Sequence, residues 1–180
     1  MAEPAWIDVV PDSEATGKLK EVYDKVVEDR GQNINIARAA SLWPEFIDLQ
    51  EKQFALFSNP ETYLDHDAKD LIAALVAQIN HSVYYSNIYR TSLVERGWTD
   101  EKVGHILQDI ESDHVDQETR AALVFTEKIT SNPKSMTSED IEKLRLAGID
   151  ERGILEITVL ASHHNSLSRL ANALGVRPED

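Results

Sequence analysis

Apolar residues recur at three- and four-residue spacing along nearly the whole chain, and no stretch alternates β-branched with polar residues as a half-buried strand does. The spacing predicts an all-α fold. Ser13 is placed to cap a first helix running to about Arg30, with Leu19, Val22, Tyr23, Val26 and Val27 on one stripe and Gly31 ending it. A connector then leads to Pro44, which suits the first turn of a helix carrying Phe46, Leu49, Phe54 and Phe57, and Asn59-Pro60 breaks the chain. From His66 or Asp67 to about Arg96 the pattern reads as one long helix or two abutting ones, with Gly97 as terminator and Asn80-His81-Ser82 as the expected break. Thr99 opens a short acidic helix, and another runs from about Gln117 to Thr130 before Asn132-Pro133. Thr137 or Ser138 caps the next, which Gly148 closes, and the last runs from about Asp150 to Ala173, with Gly175 after it.

A chain of 180 residues without low-complexity tracts, tandem repeats or a linker is expected to form one domain spanning 1–180. That length buries roughly 70% of the unfolded surface, enough for a core without staples. There is no cysteine. Disulfides, thiolate metal sites and any nucleophilic thiol are thereby excluded. The 32 acidic residues against 18 Lys plus Arg give a formal charge of -14, which argues against nucleic acid and acidic membranes as partners. The first residues show neither a basic nor an apolar leader segment, and no apolar run approaches the ~20 residues of a bilayer span. A cytoplasmic protein is the expectation. Gly17, Gly31 and Gly104 form no phosphate loop.

The informative stretch is 67–97, DAKDLIAALVAQINHSVYYSNIYRTSLVERG. At about 100° per residue, a continuous helix would gather Asp70, Gln78, His81, Ser82, Tyr85 and Tyr89 within an arc of roughly 120°, opposite Leu71, Ile72, Leu75, Val76, Ile79, Val83 and Val94. A break at Asn80 would change those angles. A solvated face usually carries Lys and Glu, whereas this stripe holds tyrosines, a histidine and a serine, which more often line a pocket or an interface.

This stretch resembles the core segment of the AhpD-like and carboxymuconolactone decarboxylase superfamily, closest in layout to its peroxidase-related branch. The frame is visible in KDLIAALVAQIN, HSVYYSNIY and TSLVERGWTDEKV, and the likeness extends to EATGKLKEVYDKVVEDRGQNINIARAASLWPE and ILEITVLASHHNSLSRLANALGV. The resemblance implies an all-α AhpD-like fold assembled as a homo-oligomer, whether dimer, trimer or hexamer; the apolar residues on most helices agree with assembly. Matched position by position, the family's Glu falls on Asp70, its Cys-x-x-Cys pair on Ser82 and Tyr85, and its His on Tyr89. Ser82 without an activating base is a far weaker nucleophile, and Tyr85 cannot resolve a sulfenic acid. Thiol peroxidase chemistry by that route is excluded. The decarboxylase branch works without thiols, but Tyr85 and Tyr89 stand where it would be expected to carry a carboxylate and a histidine.

The sequence therefore leads to three functional expectations. The first is a thiol-independent acid–base enzyme of lyase, decarboxylase or isomerase type on a small carbonyl or carboxylate compound. In it His81 is the acid–base group, Asp70 orients it, Tyr85 and Tyr89 donate to an oxyanion, and Ser82 stands beside them. His163, His164 and Arg169 on the last helix are the expected substrate-binding residues, although neighbouring histidines point about 100° apart. One of them hydrogen-bonded and the other solvated is the plainer expectation. The second is a non-catalytic oligomeric scaffold or small-ligand binder. The third is a metal-dependent variant using Asp70, His81 and His163 or His164, without any supporting ligand spacing; otherwise no metal and no cofactor is expected. His105 and His114 read as surface groups. Arg38, Arg90 and Arg169 are candidate carboxylate clamps, unless each pairs with a local acid.

Overall fold

A computed structural model describes residues 3–179. Among them the secondary structure is helical throughout, with no strand: α1 (Gly17–Arg30), α2 (Asn35–Ala39), α3 (Pro44–Phe57), α4 (His66–Ile79), α5 (Val83–Glu95), α6 (Asp100–Gln108), α7 (Gln117–Ser131), α8 (Ser138–Leu146) and α9 (Glu151–Leu174), with 3-10 turns at Asp12–Glu14 and Pro133–Ser135. The boundaries follow local chemistry. Asp65, Thr99 and Asp116 each accept a backbone N–H from the first turn of α4, α6 and α7, and Thr137 with Asp140 forms a reciprocal capping box at α8. Two expectations change. Ser13 lies in a 3-10 turn, and the residue preceding α1 is Thr16. The connector after Gly31 contains the short helix α2, too brief to show a period.

The chain divides into two compact units. The first comprises residues 3–59 and 170–179, where α1 packs on α3 around Leu19, Val22, Tyr23, Val26, Ala37 and Ile47. Its terminal segments are joined by backbone bonds from Trp6 to Leu174 and from Arg177 to Pro4. The second, residues 60–169, is centred on α4, which packs against α5, α6 and α7. Its residues Leu71 to Ala77 are all buried, which explains why α4 reads as apolar nearly all round. No helix among the described residues is long and apolar enough to cross a membrane.

Helices α4 and α5 form a hairpin whose turn is the Asn80-His81-Ser82 break. Ser82 N–H bonds to Ala77 O at 2.8 Å and His81 N–H to Gln78 O at 3.0 Å, the paired contacts of a Schellman ending. His81 has φ 54 and occupies the left-handed position usually given to glycine. At the open end of the hairpin, Arg96 ties the end of α5 to the start of α4: its Nε donates to Asp67 at 2.6 Å and its Nη2 to Asp70 at 2.5 Å, while Trp98 Nε1 donates to the other Asp67 oxygen at 2.8 Å. Burial raises the Asp67 pKa, yet the bonds from Arg96 and Trp98 outweigh it and hold the carboxyl below its ordinary value.

Candidate functional site

The turn at His81 reverses the face that α5 presents. Ser82, Tyr84, Tyr85 and Tyr89 are buried, whereas Val83 and Val94 are exposed, Val83 by 65%. The expected apolar side of α5 is therefore its outer side. Burying tyrosines instead of valines gives the core of the second unit a run of polar tips.

Those tips meet α9. The Tyr84 ring stands edge-on to Tyr85, Tyr85 stacks on Tyr89 with centroids 6.0 Å apart, and Tyr89 meets the His164 ring edge-on at 4.9 Å. His163 continues the series, 5.3 Å from His164. Both histidines are buried, so the expectation that one of them is solvated does not hold. Tyr89 Oη lies 3.1 Å from His164 Nδ1, a buried hydrogen bond in which either group donates according to the imidazole tautomer. Ser82, one helical turn before Tyr85, is wholly buried, and its Oγ has no hydrogen-bond partner.

Desolvation governs the charge state of the two imidazoles. Burial lowers the His163 pKa to about 4. Burial, with a smaller contribution from the neighbouring His163, lowers that of His164 to about 3. Both rings are neutral at physiological pH. A neutral imidazole beside a phenol is a hydrogen-bonding pair able to donate to, or accept from, a small polar ligand. At so low a pKa it is a weak base.

His81 stands apart from this cluster, exposed at the hairpin turn. Asp70 does not orient it. Ten residues separate them, nine of them in α4, so that roughly 14 Å of helical rise lies between, and the Asp70 carboxylate is taken by Arg96. A shared angular face is not proximity, which is the physical reason the Asp70–His81 expectation fails. The metal alternative built on Asp70, His81 and His163 or His164 fails with it: among the described residues no group of three His, Asp or Glu lies close enough to hold an ion. Arg169 is exposed, with Nη1 on Asn165 Oδ1 at 2.6 Å. Arg38 and Arg90 pair with Asp12 and Asp100, so these candidate clamps serve local acids. His105 and His114 are exposed, as expected.

Two residues that matter here went unassigned in the sequence. Asn165 donates to Thr130 and to Ala161 O and accepts from Asn80 and Arg169, fastening α9 to α7 and to the end of α4 beside the histidines. Arg96 was legible in principle, because Asp67 and Arg96 stand about equally far on either side of the break, as partners across an antiparallel hairpin must.

No protein-family model matches the sequence, and no curated protein does. Solved structures do match. An uncharacterized peroxidase-related protein from Silicibacter sp. TM1040 superimposes with a TM-score of 0.87 at 20% identity over 99% of this chain and 93% of its own. An alkylhydroperoxidase AhpD core protein from Ralstonia eutropha JMP134 gives 0.83 at 17% identity over 100% and 95%. The debrominase Bmp8 gives 0.77 at 19% identity over 95% and 90%, and a Cys-to-Ala variant of it is known in complex with 2,3,4-tribromopyrrole. At these identities the likeness concerns the fold: this cysteine-free chain has the AhpD-like all-α fold of the peroxidase-related proteins.

Proposed function

We propose that the chain is a thiol-independent enzyme of lyase or decarboxylase type acting on a small carbonyl- and carboxylate-bearing compound, with the Tyr89–His164 pair as its working group. The observation that carries this reading is the buried 3.1 Å bond between Tyr89 Oη and His164 Nδ1, with the imidazole held neutral. A ring with so low a pKa is poorly suited to pulling a proton from carbon, so reactions that need a strong base are disfavoured. Loss of carbon dioxide from a β-keto acid needs none. It requires donors that polarise the ketone as the carbon–carbon bond breaks and negative charge moves onto oxygen. Neutral imidazole N–H, a phenol and the unpartnered Ser82 hydroxyl are donors of that kind. The fold accommodates a small ring compound in the debrominase taken with tribromopyrrole, which supports a small ligand here.

Turnover of a panel of small β-keto acids and lactones tests the proposal. Replacing Tyr89 by Phe or His164 by Gln is expected to lower kcat/KM by about 10²–10³, the usual cost of losing one donor to a developing oxyanion. Turnover that survives both substitutions contradicts it.

A second reading is favoured by the ring series itself. Tyr84, Tyr85, Tyr89, His164 and His163 are contiguous and buried, as in a packed core. On that reading the cluster is structural, and the chain is a non-catalytic scaffold or small-ligand binder; absence of turnover across the panel would favour it. Homo-oligomeric assembly belongs to both readings, supported by exposed apolar residues such as Leu155 and Val159 on α9.

A further inference from the structure

Away from the ring cluster, α7 and α8 enclose a cleft of about 450 Å³. That volume lies within the range of small-ligand sites. Its apolar wall includes Val124, Phe125, Leu144 and Leu146. Phe125 and Leu144 are buried, but Leu146 is 76% exposed, an apolar side chain left at the rim of an apolar wall.

The polar lining is basic in a chain whose formal charge is -14. Arg120, Lys128 and Lys143 line the cleft against two acids, Asp140 and Glu111. Lys128 holds both Asp140 oxygens at 2.7 Å, and Lys143 approaches the same carboxylate at 3.8 Å. Those two cations already have their counter-ion. Arg120 is different. Its Nη2 donates to Val115 O and to Asp113, whose side chain is 97% exposed, while its Nε is buried and has no acceptor. A buried guanidinium N–H without a partner is costly. A carboxylate displacing the solvated Asp113 would engage Nε and Nη2 together, the lateral fork that matches carboxylate geometry.

The geometry points to a binding site for a small amphipathic carboxylate, its head on Arg120 and its hydrocarbon body along Phe125, Leu144 and Leu146. The apolar wall explains why the ligand carries a hydrocarbon body, and the one unpaired Nε–H of Arg120 explains why it carries one anionic head. A bare inorganic anion would leave the wall unfilled, and a neutral hydrocarbon would leave Nε unpaired. Nothing in this assignment rests on the Tyr89–His164 pair, so the two stand or fall separately.

Calorimetric titration of the full chain with octanoate tests it, with 1-octanol as the neutral probe of equal length. One saturable octanoate site per chain is expected, with octanol binding at least about tenfold more weakly. Arg120→Gln and Leu146→Asp are each expected to weaken octanoate by about tenfold or more, circular dichroism checking that each remains folded. Leu146 is exposed, so its variant keeps the test valid even if Arg120→Gln fails to fold. Absence of saturable octanoate binding, equal affinity for octanol, or affinity unchanged by Leu146→Asp overturns the assignment.

Discussion

At the scale of single residues, the chemistry of the second unit is decided by which histidine sits where. His81 occupies a left-handed turn position that an L residue adopts at a cost of roughly 1–2 kcal/mol, and that glycine adopts without it. Glycine in turn loses about 0.5–1 kcal/mol to the greater freedom of its unfolded chain. His81→Gly is therefore expected to leave stability within about 1 kcal/mol of the parent, on the stabilising side, when urea unfolding is measured at neutral pH. Loss of several kcal/mol would show that the imidazole makes contacts the turn geometry does not require. Angle alone puts His81 at the centre of the stripe from Asp70 to Tyr89, because helical periodicity carries no information on distance along the axis. Tyr89 and His164 are legible in the sequence only as separate candidates: residues 75 apart carry no local signal that their rings will meet.

Helices were the most legible level. Eight of the nine helices among the described residues follow from period, cap and terminator, because Pro44, Gly97, Thr99, Asn132-Pro133 and Gly148 mark boundaries by backbone chemistry that tertiary packing did not override. The five-residue α2 escaped because it is shorter than two turns. The reversed face of α5 escaped for another reason. Its tyrosines and valines both suit burial, and the angle inherited from α4 depends on a turn whose φ cannot be read from composition. Packing between elements has its own sensitive point at Gly153 on α9. An added Cβ there would come within 2.7 Å of Ile149 and of the Tyr63 ring. The Tyr63 and Leu64 backbone N–H groups are bound by the Glu156 carboxylate one turn further along, so that segment cannot easily retreat. Gly153→Ala is expected to destabilise by about 1–3 kcal/mol despite the better helix propensity of alanine, as read by the midpoint of chemical unfolding. An unchanged or raised midpoint would mean that Tyr63 gives way freely.

For the whole molecule, the lack of cysteine and the AhpD-like fold have to be read together. The resemblance seen in residues 67–97 led to the right architecture, since a helical frame is carried by apolar spacing and turn residues that survive when functional groups change. It could not supply the chemistry. Asp70, matched to the family's Glu, is drawn into the Arg96 knot, Tyr85 and Tyr89 instead join the two histidines of α9 in a buried cluster whose imidazoles are neutral, and Ser82 is buried one turn before Tyr85. The chain is strongly acidic, while the two imidazoles of the candidate site are kept neutral by desolvation. Imidazole nitrogen shifts in long-range proton–nitrogen correlation spectra test that neutrality most directly. At about pH 5, more than a unit below the ordinary histidine value, His163 and His164 are both expected to show the inequivalent nitrogen shifts of a neutral ring, with His164 locked in one tautomer by Tyr89. Matching, protonated nitrogen shifts for either residue at that pH would contradict the account.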